Sequence, residues 1–210
     1  MAELRKNRVK HKLEQGEVAS VVSGQNTAGM IEVLADLAFD GACIETEHGP
    51  FDFADIPDLS RACDLWGMTS VVRVNMNHPG VIYRTLDVGA QGIVVPHVDT
   101  VEDARAVVHA GRFAPLGARG NYTSRQGIGI DDYAAKANDE VLLVVLIEDI
   151  VAIENLADIL TVDGIDVFFV APGDLAQTMG HTGNYGHPDV VAAVELSLIH
   201  ISEPTRLGMI

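Results

Sequence analysis

Two acidic residues in the second half of the chain each follow a run of apolar residues. Residues 141–147 lead directly into Glu148, and residues 167–172 end just before Gly173 and Asp174. If both runs are buried parallel strands, the carboxyl ends of those strands bring the two carboxylates together. A pair of carboxylates so placed suits a hard divalent cation such as Mg²⁺ or Mn²⁺. The alternative interpretation is that Glu148 caps the following helix and Asp174 is an N-cap.

Three other residues are candidates for proton transfer and charge stabilisation. His48 lies at the end of an apolar run, where it can act as a general base, although a lone histidine is more often simply exposed. Arg73 also ends an apolar run and can meet an anionic substrate or enolate, or else form an ordinary salt bridge. Asp87 is a candidate to orient the imidazole of His48, or else a turn residue before Gly89.

Other potentially reactive residues have simpler interpretations. His97, His181 and His187 are interpreted as loop residues. The glycine-rich segment 117–129 lacks the Gly-Lys-Ser/Thr ending of a P-loop, so it is weak evidence for a phosphate cradle. We expect this segment to form a mobile loop over the active site instead.

The elements that must position these residues alternate along the chain. After a short basic helix over residues 2–15, which we expect to be exposed, strand-like and helical segments follow one another about six times. Three segments repeat a helix end, a turn with glycine, an apolar strand and a polar exit: LAFDGACIETE, LDVGAQGIVVPHV and LTVDGIDVFFVAP. This repetition favours a (β/α) barrel over a Rossmann sheet, and no GxGxxG follows the first strand.

Composition limits the class of protein and its location. The 210 residues are 48% hydrophobic, which is enough for one well-filled domain. Their net charge of −16 argues against sequence-independent binding to the phosphate backbone of nucleic acid. No run is long enough to span a bilayer, and no apolar signal segment follows the basic N-terminus. Cys43 and Cys63 are interpreted as buried thiols rather than catalytic or metal-binding residues. We therefore expect a reducing cytoplasm and no membrane partner.

The last residues of the chain have an unusual sequence. Residues 196–206 read LSLIHISEPTR, which matches the in-frame translation of a transposase sequencing adapter. The alternative is an amphipathic helix that continues from Asp189. We predict that residues 1–195 form a (β/α) barrel truncated after about six βα units, and that residues 196–210 are a non-native tail. The units absent from such a chain would leave an open sheet edge.

A series of short motifs occurs in one order along the chain. They are EHGP at 47–50, VRV at 72–74, LDVGAQG at 86–92, VP at 95–96 with VDT at 98–100, GARG at 117–120, IE at 147–148 and APGDL at 171–175. This series resembles the metal-dependent class II pyruvate aldolases of the HpcH/HpaI family, over about residues 16–194. Members of that family cleave or form 2-keto-3-deoxy sugar acids and 4-hydroxy-2-ketoacids.

The resemblance implies a TIM (β/α)8 barrel of the phosphoenolpyruvate/pyruvate type in which Glu148 and Asp174 hold Mg²⁺, Mn²⁺ or Co²⁺. The cation would bind the 2-keto oxygen and carboxylate of pyruvate and lower the barrier to enolate formation. The backbone at Gly173 and Asp174 would receive the pyruvate carboxylate, with Arg73 beside it. The implied reaction is cleavage of a small ketoacid to pyruvate and an aldehyde.

The resemblance also implies roles for the remaining candidates. His48 would be the base, made more basic by Asp87, and Arg73 would stabilise the enolate and the transition state. Family members are homohexamers whose C-terminal helix packs on a neighbouring subunit, so the assembly of a truncated chain stays open.

Two residues depart from the family pattern. Leu146 replaces a common glutamine that faces substrate, and Glu45 replaces a common aspartate, which affects the choice of aldehyde more than pyruvate chemistry. Two alternatives to an aldolase remain. One is a malyl- or citryl-thioester lyase of the wider superfamily, and the other is an inactive, truncated fragment.

Overall fold

Six parallel strands form the centre of the structure, a computed structural model that describes residues 3–24, 27–122 and 124–202. The strands are Val21–Val22 (β1), Gly41–Glu45 (β2), Thr69–Arg73 (β3), Gly92–Val95 (β4), Leu142–Ile147 (β5) and Val167–Val170 (β6). Each strand pairs in parallel with the next one in the chain, from β1 to β6. Among the described residues no pairing joins β6 to β1. The sheet is therefore a half-barrel, which confirms the predicted incomplete (β/α) barrel.

Helices connect the strands and cover the outside of the sheet. They are Arg8–Glu14 (α1), Ala28–Ala35 (α2), Ile56–Leu65 (α3), Pro79–Val88 (α4), Val101–Gly111 (α5), Tyr133–Glu140 (α6), Ile150–Glu154 (α7), Leu156–Ile159 (α8), Pro172–Thr178 (α9) and Pro188–Ser202 (α10), with a short 3₁₀ turn at Arg125–Gly127. The predicted alternation of strands and helices is confirmed. No helix in the described part of the chain is both long and apolar enough to cross a membrane.

Strand β5 shows why the sheet is apolar on both faces. Leu143, Val145 and Ile147 pack in the larger core beneath the helices, whereas Val144 and Leu146 belong to a smaller cluster on the concave side. Successive side chains of a strand point to opposite faces, so this alternation follows from the sequence. Each fully buried aliphatic side chain stabilises the fold by about 1.5–3 kcal/mol.

The concave side of the half-barrel is open. A cavity of about 400 Å³ lies there and is lined mainly by aliphatic side chains of the strands, with Cys43 and Phe169 among them. Phe169 on β6 is 53% exposed, and Val21 on β1 is 39% exposed. These exposed apolar side chains mark the two edges of the sheet that a complete barrel would join.

Helix α1 is packed against the sheet, and the prediction of an exposed basic helix is wrong. Val9 is buried with the concave-side cluster. Asn7 caps α1 by accepting from the backbone N–H of Lys10, and its amide donates to the carbonyl oxygens of Gln91 (3.0 Å) and Glu140 (2.9 Å). The N-terminal segment therefore ties together the beginnings of β4 and β5.

The predicted non-native tail begins within a helix. Helix α10 continues through residues 196–202, and residues 203–210 lie outside the described part of the chain. The proposal that residues 196–210 derive from an adapter stays a prediction.

Candidate active site

Glu148 lies at the carboxyl end of β5, on the concave side of the half-barrel. It comes two residues after Leu146, so the alternation of side chains along β5 places both on the same face, and it is only 2% exposed. Its Oε1 accepts a hydrogen bond of 2.9 Å from the backbone N–H of His97. The helix-capping interpretation of Glu148 is wrong, because the N-cap of α7 is Asp149, whose side chain accepts from the backbone N–H of Val151.

The surroundings of Glu148 make its charged form unfavourable. Burial raises the pKa of its carboxyl group, and the negative charges of Glu47 and Asp174 raise it further. The N–H and imidazole of His97 act in the opposite direction without cancelling these effects. Three carboxylates thus repel one another at one place, and a bound cation would relieve that repulsion.

Asp174 reaches this place from the next strand of the sheet. It lies in the first turn of α9, which begins at Pro172 directly after β6. The N-cap of α9 is Ala171, so the interpretation of Asp174 as an N-cap is wrong. Asp174 and Glu148 repel each other, so they lie close enough to bind one cation together, as the metal-binding hypothesis requires.

Glu47 is a site residue that the sequence did not single out. Its side chain is 10% exposed, and within the described residues no group donates a hydrogen bond to its Oε2. That oxygen has an ion-pair contact of 3.2 Å with Nε of Arg73, but this Nε donates to Glu45 instead. A buried carboxylate oxygen without a donor fits a site that holds a cation.

Arg73 and Glu45 form a tight ion pair across β2 and β3. Nε and Nη2 of Arg73 lie 2.6 Å and 2.5 Å from Oε2 of Glu45. Burial alone would lower the pKa of Arg73, but the hydrogen bond and charge of Glu45 and the charge of Glu47 raise it overall. Arg73 is therefore a fixed positive charge beside the carboxylates, where we expected it.

Glu45 also shapes the turn that carries His48. Its Oε1 accepts from the backbone N–H of Glu47 (2.8 Å) and of His48 (3.2 Å). Burial would raise the pKa of Glu45, but Arg73 and these two N–H groups lower it. One carboxylate therefore holds both the turn and the arginine.

His48 lies at the same edge as these groups and is open to solvent. Its side chain is 66% exposed, and Nε2 lies 3.9 Å from Oε2 of Glu47. The position at the carboxyl end of β2 is the predicted one. An exposed imidazole beside a carboxylate can exchange protons with a bound molecule and with water.

Asp87 does not contact His48 within the chain, so the predicted pair is not formed there. Asp87 lies in the last turn of α4, near the beginning of β4, whereas His48 follows the end of β2. Its Oδ1 accepts a hydrogen bond of 2.7 Å from Arg119, whose side chain is fully buried and lies over the ring of Phe113. A helix that returns between two parallel strands places its last turn at the opposite edge of the sheet.

The described residues of the glycine-rich segment, 117–122 and 124–129, do not cover the carboxylates, and the prediction of a loop over the active site is wrong. The segment follows helix α5 rather than a strand, so it lies at the amino edge of the sheet. Arg125 donates to Asp64 and Ser60, both at 2.6 Å, and Gln126 donates to the carbonyl oxygen of Gly89. These contacts fasten the segment to α3 and α4.

His97 is the second site residue that the sequence did not identify, since it was interpreted as a loop residue. Besides its N–H contact, its Nδ1 lies 3.5 Å from Oε1 of Glu148, and its Nε2 lies 4.0 Å from Oε1 of Glu47. Its φ of +51° is in the left-handed region. The available signal was position, because His97 follows the strand beside the one that carries Glu148.

Of the two thiols that the sequence predicted to be buried, Cys63 is buried and Cys43 is only partly so. Cys63 is fully buried in α3, and burial raises the pKa of its thiol to about 12. A thiol with so high a pKa is a poor nucleophile, which supports a structural role.

Comparison with known proteins connects this geometry to one family. A model of the HpcH/HpaI aldolase/citrate lyase family matches residues 21–206. The 2-keto-3-deoxy-L-rhamnonate aldolase of Escherichia coli (strain K12) is 37% identical over 207 residues, which cover 96% of this chain and 77% of that protein. The 2-dehydro-3,6-dideoxy-6-sulfogluconate aldolase of Pseudomonas putida is 36% identical over 177 residues, which cover 82% and 69%.

Two solved structures have folds similar to that of this chain. A HpcH/HpaI aldolase/citrate lyase family protein from Burkholderia cenocepacia J2315 superposes with a TM-score of 0.87 at 30% identity, over 95% of this chain and 81% of that one. The citrate synthase SbnG superposes with a TM-score of 0.85 at 27% identity, over 94% and 78%.

Proposed function

This chain belongs to the HpcH/HpaI aldolase/citrate lyase family, a family of carbon–carbon lyases, and from that premise we propose the reaction of its active site. The protein is a metal-dependent aldolase that cleaves a 4-hydroxy-2-ketoacid or a 2-keto-3-deoxy sugar acid to pyruvate and an aldehyde. The observation that carries this proposal is the convergence of Glu47, Glu148 and Asp174 beside Arg73.

The residues present fit a divalent cation. Glu148 and Asp174 would hold it, and the Oε2 atom of Glu47, which lacks a donor, lies beside the same site. A site made of carboxylate oxygens favours Mg²⁺ or Mn²⁺, with Co²⁺ a third candidate. When bound, such a cation acts as a Lewis acid that polarises the keto group of the substrate.

The chain's own residues account for the charge that develops during cleavage. In the aldol cleavage the C4 hydroxyl loses its proton, the C3–C4 bond breaks, and its electron pair becomes the enolate of pyruvate. Arg73 supplies a positive charge next to that enolate without having to move, because Glu45 already holds it in place. Protonation of C3 then yields pyruvate.

His48 is the base that we assign to the C4 hydroxyl. Its imidazole is exposed at the edge of the sheet, where we place the end of the substrate that is released as the aldehyde. An imidazole can take up the hydroxyl proton and pass it to water. This role for His48 does not depend on a contact with Asp87.

The first turn of α9 is suited to receive the pyruvate carboxylate. The first amides of a helix have no acceptor within the helix, and here they include those of Gly173 and Asp174. A Cβ placed on Gly173 would meet no atom within 4 Å, so the backbone there is open to a bound group. Leu146 lies on the same strand face as Glu148 and makes the floor of the site apolar.

One observation favours a second candidate, a lyase or synthase that acts on citrate-like acids. The citrate synthase SbnG has nearly the same backbone as this chain. A malyl- or citryl-thioester lyase would also need a surface for coenzyme A. The products distinguish the candidates, because only an aldolase releases pyruvate and an aldehyde.

The experiment is a pyruvate-release assay on protein treated with a chelator and then supplied with Mg²⁺ or Mn²⁺. Substrates would include 2-keto-3-deoxy-L-rhamnonate and a simple 4-hydroxy-2-ketoacid, with lactate dehydrogenase and NADH to detect pyruvate. We expect release that disappears with chelator and with Glu148→Gln. Release that persists in chelator would contradict metal dependence, and a folded but inactive protein would support the inactive-fragment alternative. A cytoplasmic location and a homo-oligomeric state complete the proposal.

A further inference from the structure

Two histidines and an aspartate come together between α9 and α10. Oδ2 of Asp189 lies 3.6 Å from Nε2 of His181 and 3.7 Å from Nδ1 of His187. One ligand atom from each of the three side chains lies within 4.8 Å of the other two. None of these residues belongs to the candidate active site.

The backbone of this connection is held in place by hydrogen bonds. The N–H of His181 donates to the carbonyl oxygen of Ala176 in α9 (2.7 Å), and the N–H of Asn184 donates to that of His181 (2.9 Å). The N–H of His187 in turn donates to the carbonyl oxygen of Asn184 (3.1 Å). Both histidines are therefore positioned by the fold before any ligand binds.

The two imidazoles are stacked beside one carboxylate. The rings of His181 and His187 stack with centroids 3.5 Å apart at an angle of 14°. Nδ1 of His187 accepts a weak hydrogen bond of 3.3 Å from the N–H of Asp189, which a cation bound at this nitrogen would replace.

We propose that His181, His187 and Asp189 bind a transition-metal cation of the Zn²⁺ class. Zinc bonds to imidazole nitrogen and carboxylate oxygen are about 2.0–2.2 Å long, so ligand atoms in a tetrahedral site are about 3.4 Å apart. The observed separations of 3.6 Å and 3.7 Å are close to this value, and the two stacked rings would rotate so that one nitrogen of each faces the cation. Two imidazoles exclude Mg²⁺ and Ca²⁺ as the preferred ions, because those cations select oxygen ligands.

The bound ion would act as a clip between two helices. Asp189 lies in the first turn of α10, and His181 follows α9, so one cation would fasten both helices. Helix α10 packs against α8, α9 and β6. The clip would therefore stabilise the β6 side of the half-barrel, and its open fourth position would hold water.

The competing explanation is that the cluster is only a set of ion pairs. Asp189 is 68% exposed, and an acidic residue in the first turn of a helix is favourable without any metal. A direct test must also separate this site from the active-site carboxylates, since both would take up divalent cations.

The experiment uses the full chain with Glu148→Gln and Asp174→Asn, which removes the two proposed active-site ligands. Co²⁺ is the spectroscopic probe, because a site with nitrogen ligands and low coordination number gives much stronger visible absorption than an octahedral site of oxygen atoms. Zn²⁺ is then titrated by calorimetry. We expect one Co²⁺ per chain with strong absorption, displaced by Zn²⁺, and a Tm raised by about 5–10 °C at a hundredfold excess of Zn²⁺ over its Kd.

Two ligand variants and one matched control complete the test. His181→Gln and His187→Gln should each weaken Zn²⁺ binding by at least about tenfold, since even outer-shell partners are worth 10–100-fold. His109→Gln, at an exposed histidine of α5, should leave binding unchanged. Weak Co²⁺ absorption, or Zn²⁺ affinity that the control lowers as much as the two ligand variants do, would overturn the proposal.

Discussion

The backbone N–H of His97 donates a 2.9 Å hydrogen bond to Oε1 of Glu148, from a residue whose φ of +51° lies in the left-handed region. A residue other than glycine in this conformation is usually strained. The strained residue follows β4, and the carboxylate that it orients follows the neighbouring strand β5. The left-handed conformation of His97 therefore contributes to the site, because it points the backbone N–H at the buried carboxylate of Glu148.

This relationship predicts different effects for two substitutions of His97. Asparagine tolerates the left-handed region, so His97→Asn should retain cation affinity within a few-fold. Valine does not, and His97→Val should lower the free energy of unfolding by about 1–3 kcal/mol and weaken Mn²⁺ binding by about tenfold. Calorimetric titration of Mn²⁺ and denaturant unfolding measure both. Equal losses in the two variants would show that the imidazole matters rather than the backbone.

Removing the charge of Glu148 should stabilise the metal-free protein while abolishing turnover. Glu148→Gln keeps an acceptor for the His97 N–H and removes the repulsion by Glu47 and Asp174, so a gain of about 0.5–2 kcal/mol is expected at pH 7. Because the pKa of Glu148 is raised in the folded protein, the gain should shrink as the pH falls through that pKa and the wild-type carboxyl becomes protonated. Thermal unfolding with and without Mn²⁺ tests this, and Mn²⁺ should raise the Tm of the wild type only.

The ion pair between Glu45 and Arg73 should matter for both stability and turnover. Glu45→Gln removes the charge that fixes Arg73, so kcat should fall by at least tenfold, whereas Glu45→Asp should restore part of it. The pKa of Glu45 is lowered on folding, so its stabilising contribution is present above its ordinary pKa of 4.5 and is lost as the pH falls through the lowered value. A stability difference between wild type and Glu45→Gln that does not shrink as the pH falls below 4.5 would contradict this.

The base assignment predicts a specific kinetic change for His48. His48→Ala should lower kcat by about 10²- to 10⁴-fold while leaving pyruvate binding largely intact, because the imidazole acts on the hydroxyl proton. His109→Ala, at an exposed histidine outside the site, is the matched control. Single-turnover cleavage together with pyruvate titration separates chemistry from binding. An unchanged kcat in His48→Ala would show that another group takes the proton.

Asp87 should affect stability more than turnover. Asp87→Asn leaves the fully buried Arg119 without its anionic partner and should lower the free energy of unfolding by about 3–5 kcal/mol. Asp58→Asn, which removes an exposed partner of Arg61, should change it by less than about 0.5 kcal/mol. Urea unfolding compares the two. Lost turnover with unchanged stability would instead favour a catalytic contact with His48.

The sequence predicted the parts of the site that depend on strand periodicity. An apolar run that ends in a polar residue predicts both the strand and the edge at which it ends, and Arg73, Glu148 and Asp174 do follow or end their strands at that edge. Their roles in metal binding and catalysis stay predictions. The two-residue alternation also places Leu146 and Glu148 on one face. These predictions need only local information.

The contacts that were missed depend on geometry that one sequence does not encode locally. Asp87 and the segment 117–129 follow helices, and the direction of those helices takes them to the opposite edge of the sheet. The left-handed conformation of His97 is set by its neighbours in space and leaves no mark on the sequence. The burial of α1 likewise depends on partners far along the chain, such as Glu140.

The strict order of the strands bears on how the chain acquires its structure. Because every strand pairs with the one before it, paired residues lie between 20 residues (Val21 and Gly41) and 50 residues (Gly92 and Leu142) apart along the chain. Each new βα unit can dock on the preceding strand as it leaves the ribosome. Glu148 and Asp174 follow the fifth and sixth strands of the chain. The repulsion between their carboxylates therefore arises only after the first four strands can already be paired.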